Sequence, residues 1–460
     1  MRRHFQAVSA LAIAVLATCA LSQVTAPFTN LTFFQDYTGD GTDANGKPLD
    51  GTECNVIVAH RGQLFASITY LPEDRNWTNI NPKILVKRSA DGAWEVDQAL
   101  GNQYIRAATM RSVAFTTDQQ GKPLAAPEPV LIVGDWKAAK PVDVGIWTRD
   151  DASGHWTRTV LCGQPQGGTP DVRMLCDHVD RVTRTHYVFA GVSTGAIYRG
   201  AYDPAAPGRV AWEVTPELEG VRGRPLCAAE ANGELYVAFA LQLGSPLVGT
   251  GGLFRRIDGP APRWEPVTLN AWRDPDDPTK PLVDEMRGLT AVPDARGGKH
   301  QVLLCGLKEP SCSIERLDPE DGFRVTRELD VRGYFEKLWG APVGKHLIIA
   351  YNDMPPAVDP NTKQRVNLIG LWVAHPEGEG GELGRSSWYL VRHADGTYAH
   401  GRVFDAKNPP IGKYGLRATR TICASPFPGD RGQVFYFGGF DEMSGSAPGK
   451  NGWIYKAVLP

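Results

Sequence analysis

The stretch richest in side chains that do chemistry is His393-Ala-Asp-Gly-Thr-Tyr398-Ala-His400-Gly-Arg402, with Lys413 and Tyr414 beyond it. Histidine, tyrosine and lysine take up and release protons in general acid–base catalysis. His400, Tyr398 and Tyr414 are therefore the candidates for proton transfer. A second set is cationic. A four-residue phrase (a cation, any residue, a large apolar residue, a small residue) recurs as Arg111-Ser-Val-Ala, Arg173-Met-Leu-Cys, Arg224-Pro-Leu-Cys, Arg287-Gly-Leu-Thr, Lys337-Leu-Trp-Gly and Arg420-Thr-Ile-Cys. A guanidinium is a planar fork matched to carboxylate, sulfate or phosphate. Arg111, Arg173, Arg224, Arg287, Lys337 and Arg420 are thus candidates for holding an anion. The competing reading pairs each of them with an acid of a neighbouring repeat, for which Asp135, Asp353 and Asp441 are placed.

Those cations need a scaffold that brings them together, and the repeat supplies one. Each phrase is followed by a turn and a second apolar run, such as Val130-Leu-Ile-Val-Gly-Asp, Tyr187-Val-Phe-Ala-Gly and Val434-Phe-Tyr-Phe-Gly-Gly. A third short run ends in a cation in most copies, and a fourth carries an aromatic: Trp94, Trp156, Trp212, Trp264, Phe323 and Trp388. Short apolar runs bounded by turn residues read as strands. Four strands per unit, with almost no helical periodicity, describe propeller blades. The fold expected is all-β: a seven-bladed β-propeller of four antiparallel strands per blade. Its last unit stops after Ile454-Tyr-Lys-Ala-Val, so Leu31-Thr-Phe-Phe-Gln-Asp is expected to supply the missing strand, close the ring and remove an open sheet edge. The phrase then opens the innermost strand of each blade, and its cations ring one mouth of the central channel. Asn55-Val-Ile-Val breaks the pattern, with Glu53 two residues earlier, so the ring is lopsided. A ligand's charge is expected towards Arg173, Arg224 and Arg287.

Composition bounds the rest. The chain has 460 residues and a formal net charge of −2, which argues against a generic nucleic-acid surface. Residues 1–22 read as a secretory signal peptide: a basic start at Met1-Arg2-Arg3-His4, an apolar run from Ala7 to Ala20, and a small-residue cleavage site. Residues 23–460 form one domain, expected to be secreted and monomeric, with no membrane span. Removing Cys19 leaves seven of eight cysteines. The spacing of Cys305 and Cys312 would let them bridge adjacent strands, whereas Cys176, Cys227 and Cys423 read as small buried groups. No pattern points to zinc. Asp40-Gly-Thr-Asp-Ala-Asn-Gly is rich in oxygen donors but lacks calcium-loop spacing; a structural calcium there is the one cofactor considered, and none is required.

Ser89-Ala-Asp-Gly-Ala-Trp94 resembles a shortened sialidase Asp-box, and an arginine opening an inner strand is similar to the carboxylate-binding arginines of that family. In that reading Glu53 and Asp135 would be the nucleophile and the acid. In architecture and cationic funnel the chain also resembles the secreted seven-bladed polysaccharide lyases, such as ulvan lyases. That resemblance implies an acidic polysaccharide or oligosaccharide as partner and β-elimination as reaction. Arginines would neutralise a uronate carboxylate while His400, Tyr398 or Tyr414 moves the protons. The alternative is a non-catalytic propeller that binds an anionic glycan or a protein.

Overall fold

The structure is a computed structural model. It describes residues 28, 30–70, 80–137, 139–140, 142–163, 170–241, 251–269, 285–294, 300–307, 311–340, 348–351, 354–375, 384–403, 418–430, 432–440 and 451–460. Strand β1 (Thr32–Thr38) is followed by blade one: β2 (Glu53–His60), β3 (Gln63–Thr69), β4 (Lys83–Lys87) and β5 (Glu95–Ala99). Blade two is β6 (Tyr104–Thr117), β7 (Pro123–Lys137), β8 (Asp143–Arg149) and β9 (Trp156–Gly163). Blade three is β10 (Val172–Val179), β11 (His186–Val192), β12 (Ala196–Tyr202) and β13 (Val210–Trp212). Blade four is β14 (Gly223–Ala231), β15 (Glu234–Leu241), β16 (Leu253–Ile257) and β17 (Arg263–Pro266). Blade five is β18 (Met286–Pro293), β19 (Gln301–Leu307), β20 (Ser313–Asp318) and β21 (Arg324–Asp330).

After helix α1 (Val331–Trp339), blade six is β22 (Ile348–Tyr351), β24 (Arg365–His375), β25 (Gly384–Arg392) and β26 (Tyr398–Arg402), with β23 (Pro356–Val358) also on β24. Blade seven is β27 (Ala418–Ala424), β28 (Val434–Phe440), β29 (Gly452–Val458) and, on its outer edge, β1. The N-terminal strand pairs antiparallel with the C-terminal one, Thr32 opposite Val458. Seven blades and closure through β1 are as the sequence indicates.

Blade six is read one strand out of step from the sequence. Lys337-Leu-Trp-Gly does not open an inner strand; it is the end of α1. Asp330 caps that helix by accepting from Gly333 N at 3.1 Å, Val331 and Phe335 face inward one turn apart, and Gly340 ends it at φ 65°. The inner strand is β22, which stands between β18 and β27 around the channel. The run carrying Trp388 becomes the third strand, and Tyr398–Arg402 becomes the fourth.

Each of the seven blade junctions has its own buried apolar cluster, Val113, Ile132, Val188 and Tyr198 between blades two and three being one. The glycines that end the second runs permit this closeness. A Cβ on Gly191 would stand 2.6 Å from Pro225 Cγ of the next blade, and one on Gly438 would stand 2.6 Å from Cys54 Sγ. Polar clamps fasten the rims. Asp36 of β1 accepts from Lys87 Nζ at 3.0 Å and Trp94 Nε1 at 2.7 Å. Asp97 of β5 accepts from Arg149 Nε at 2.9 Å and Trp156 Nε1 at 2.8 Å. Glu217, just past β13, accepts from Arg256 Nε at 2.7 Å and Trp264 Nε1 at 3.0 Å. An acid at the outer edge of one blade thus grips a third-strand cation and a fourth-strand indole of the next.

All seven described cysteines are unbonded, Cys305 and Cys312 among them, so that expected bridge does not form. Cys176 and Cys227 are buried as expected, whereas Cys423 is only partly so. Asp43, in the oxygen-rich loop, accepts from the amides of Asn45, Lys47 and Val96 at 2.8–3.0 Å, so its carboxylate organises the turn. No helix among the described residues is long and apolar enough to cross a membrane.

Candidate functional site

The central channel encloses about 660 Å³ and is lined by the inner strands. Near its start, the inner strand of every blade but the sixth shifts register at a bulge: beside Cys54/Val56, Ala107/Thr109, Val172/Met174, Pro225/Cys227, Arg287/Thr290 and Thr419/Thr421. A bulge turns side chains out of the ladder. Here it gathers Arg173, Arg224, Arg287 and Arg420 at one mouth.

Two of the expected ring members lie elsewhere. Lys337 is exposed on α1. Arg111 lies past the bulge of β6 and its Nε contacts Asp177 Oδ1 at 2.5 Å, towards the end of β10 opposite Arg173. The register puts Arg106 at the mouth in blade two instead. The sequence hides it because Arg106-Ala-Ala-Thr has no large apolar residue in third place, so Arg111-Ser-Val-Ala matches the phrase better.

The mouth arginines are ion-paired, and among the described acids their partners are Glu53, Glu285 and Asp171 rather than Asp135. Glu53, 0% exposed, contacts Arg420 of blade seven, takes Arg106 of blade two at 3.5 Å and accepts from Thr69 Oγ1 at 3.1 Å. Burial alone would raise its pKa; Arg420 and Arg106 outweigh that and hold it below the ordinary carboxylate value. Glu285 accepts from Arg224 at 3.1 Å and Arg287 at 2.6 Å. Asp171 Oδ2 lies 2.6 Å from Arg173 Nε. Asp135 is instead engaged at the blade-two edge by Arg158 at 2.7 Å, Trp147 Nε1 at 2.9 Å and Gly145 N at 3.0 Å. Asp353 and Asp441 lie outside the described residues. With Glu53 and Asp135 so engaged, neither is placed as a glycosidase nucleophile or acid. The signal missed in the sequence is the acid two residues before the phrase: Asp171 before Arg173, Glu285 before Arg287, Glu53 before Asn55.

One sector of this mouth is unlike the rest. Trp136, at the end of β7, lies under both Arg106 and Arg173, whose Cζ atoms stand 5.5 and 5.7 Å from its ring. Trp136 Nε1, both carboxylate oxygens of Asp171 and Arg173 Nε are buried without a hydrogen-bond partner among the described residues. The Arg173–Asp171 contact is short, yet the N–H does not point along it, so it is electrostatic rather than a hydrogen bond. Arg173 and Arg224 are also the more accessible of the mouth cations, 25% and 40% exposed in their side chains.

Two of the proton-transfer candidates, Tyr398 and His400, lie away from this mouth. Both are on β26, the outermost strand of blade six. Tyr398 donates to Glu328 of β21 at 2.8 Å, and Arg392 grips the same carboxylate, its Nη2 at 3.2 Å. This is the rim clamp again, with tyrosine in place of tryptophan. Burial and Glu328 push the phenol far above its ordinary pKa. His400 Nδ1 meets Tyr334 Oη of α1 at 2.6 Å and packs on Trp388, and burial lowers its pKa. Tyr414 lies outside the described residues. A purely structural Tyr398 predicts that Tyr398→Phe loses about 1–2 kcal/mol of stability, seen as a lower urea midpoint, with ligand binding unchanged.

The class defined by this architecture is a seven-bladed β-propeller whose channel opens through an ionic mouth. No protein-family model matches the chain, and no curated protein sequence matches it. Solved structures resemble the chain at low identity. The BP39L lectin from Burkholderia pseudomallei is 13% identical with a TM-score of 0.45, over 85% of this chain and 94% of that one. An α-L-arabinanase of Penicillium chrysogenum is 11% identical with a TM-score of 0.40, over 79% and 99%. The GH93 α-L-arabinofuranosidase of Fusarium graminearum is 9% identical with a TM-score of 0.39, over 93% and 98%.

Proposed function

We propose that the protein is an exported carbohydrate-recognition propeller that binds an acidic sugar chain at the Arg173–Arg224 side of its channel mouth. The observation that carries this is the unspent hydrogen-bonding capacity beside Trp136: an indole N–H, a guanidinium N–H and two carboxylate oxygens, all buried. Such atoms are costly to leave unpaired, so a ligand or water that pairs them is favoured. A polyhydroxylated ring offers donors to Asp171 and acceptors to Trp136 and Arg173 at once. A carboxylate or sulfate on the chain matches Arg224 and Arg173, the cations least enclosed. Arg106 and Arg420 are committed to Glu53, which keeps the charge preference towards blades three and four.

Cleavage by β-elimination would further require a base beside the arginines, and His400 and Tyr398 do not supply it from the rim of blade six. Recognition is therefore the reading favoured. The test is binding to uronate-bearing, sulfated and neutral oligosaccharides, with the wild type against Arg173→Ala/Arg224→Ala. Loss of two charge-assisted contacts predicts affinity for the acidic chains at least about tenfold weaker, with a salt dependence that the variant lacks. Equal binding of neutral and acidic chains, or no effect of the double substitution, removes the proposal. An ultraviolet-absorbing unsaturated product from a uronate polymer would make the protein a lyase.

A further inference from the structure

Two blade junctions carry the same constellation on the face opposite the ionic mouth, and one residue makes them differ. His60 and His178 occupy matching positions, each four residues after the first pair past its strand's bulge. His60 Nε2 meets Asp151 Oδ2 at 2.9 Å, and His178 Nε2 meets Asp258 Oδ1 at 3.1 Å. Each aspartate also takes two arginines: Arg149 at 2.9 Å and Arg61 at 2.6 Å on Asp151, Arg256 at 2.6 Å and Arg181 at 2.9 Å on Asp258. The other ring nitrogen reaches the next blade's inner strand, again at matching positions. His60 Nδ1 finds Ser112 Oγ at 2.8 Å; His178 Nδ1 finds Glu230 Oε2 at 2.7 Å.

That exchange decides the protonation state. A neutral imidazole has one donor and one acceptor, which suits an aspartate on one side and a hydroxyl on the other. Between two carboxylates only the imidazolium donates at both nitrogens. Both histidine side chains are 1% exposed, so water does not soften the choice. The groups facing His178 are Glu230 from β14 and Asp258 from the turn after β16. Arg181 and Arg256 lie behind Asp258, and Asp180 and Glu217 behind Arg256. Burial depresses both rings. For His60 it outweighs Asp151 and lowers the pKa; for His178, Glu230 and Asp258 outweigh it and raise the pKa.

We propose that His178 is a proton-operated latch: protonated, it ties Glu230 of β14 to Asp258, and loss of the proton releases the Glu230 carboxylate into the second mouth of the channel, which Glu230 lines. Glu230, with its side chain 49% exposed, has room to swing away once its partner is neutral. His60 is the built-in control, since its Ser112 holds nothing that a change of charge would free. The latch does not depend on what the ionic mouth binds.

The experiment follows the histidine ring signals by NMR in the whole protein between about pH 5 and pH 9, for wild type, Glu230→Gln and Glu230→Ser. The His178 midpoint is expected above that of a free imidazole in wild type, and shifted down towards that of His60 in both variants. Melting temperature gives a second readout. A raised folded-state pKa stabilises fully below the ordinary histidine value and loses that contribution as pH rises through the folded-state value. Wild type should therefore lose melting temperature across that window, and Glu230→Gln should lose less. A wild-type midpoint at or below that of free imidazole overturns the latch. So does a midpoint unmoved in both variants, or in Glu230→Gln alone if Glu230→Ser does not fold.

Discussion

Replacing Glu53 by alanine is expected to destabilise the protein by about 3–5 kcal/mol, the cost of leaving buried guanidiniums without their counter-ion. Glu53 holds arginines of both neighbouring blades, Arg420 on one side and Arg106 on the other. Arg106 has little alternative among the described residues, where its Nε donates to the Tyr70 carbonyl at 3.4 Å. Glu53→Gln keeps the volume and an acceptor for Thr69 but loses the charge, so it should recover only part of the loss. The measurement is the denaturant midpoint at neutral pH, and an effect below about 1 kcal/mol would place Glu53 among ordinary surface acids. The same group adds acid sensitivity. Its folded-state pKa lies below its unfolded value, so its stabilisation is present above the unfolded pKa and fades as pH falls through the folded one. Wild type should lose more melting temperature on acidification than Glu53→Gln.

Arg256→Leu should cost as much. Arg256 is 0% exposed and joins Asp180 at 2.9 Å, Glu217 at 2.7 Å and Asp258 at 2.6 Å. Removing it leaves three nearby carboxylates with less compensation, and again about 3–5 kcal/mol is expected. The pattern of rescue separates this from simple loss of packing. Asp180 is held down to about 2, with burial opposing and the Thr183 amide and Arg256 prevailing. Without Arg256 it should protonate at higher pH, so the variant's deficit should shrink in mild acid. A deficit independent of pH would mean that the aliphatic stem, not the charge, does the holding.

How much of this was legible in the sequence differs by level. Blade number and closure were, because buried strands and their turns leave a repeating apolar pattern that local chemistry enforces. Blade six was misread because a helix interrupted the rhythm and Lys337 imitated the phrase. The ionic mouth was half legible. Arg173, Arg224, Arg287 and Arg420 were found, but charges on different blades meet only through register, and a bulge moves register by one residue without marking the sequence. That is why Arg106 was missed and Arg111 was put at the wrong end. The partners of Tyr398 and His400 were illegible for another reason. Titratable residues look alike whether they fasten a rim or move a proton, and only their partners tell the two apart.

The rim clamps also have a temporal side. Asp36 reaches Trp94 across 58 residues of chain, whereas Leu31, at the start of the same segment, donates to Tyr389 across 358. As the polypeptide is synthesised, the first strand can dock on blade one long before the sheet it belongs to exists. The clamp thus acts as a mooring. It keeps an unpaired strand edge from finding another chain while the other blades form, and the ladder with β29 closes last.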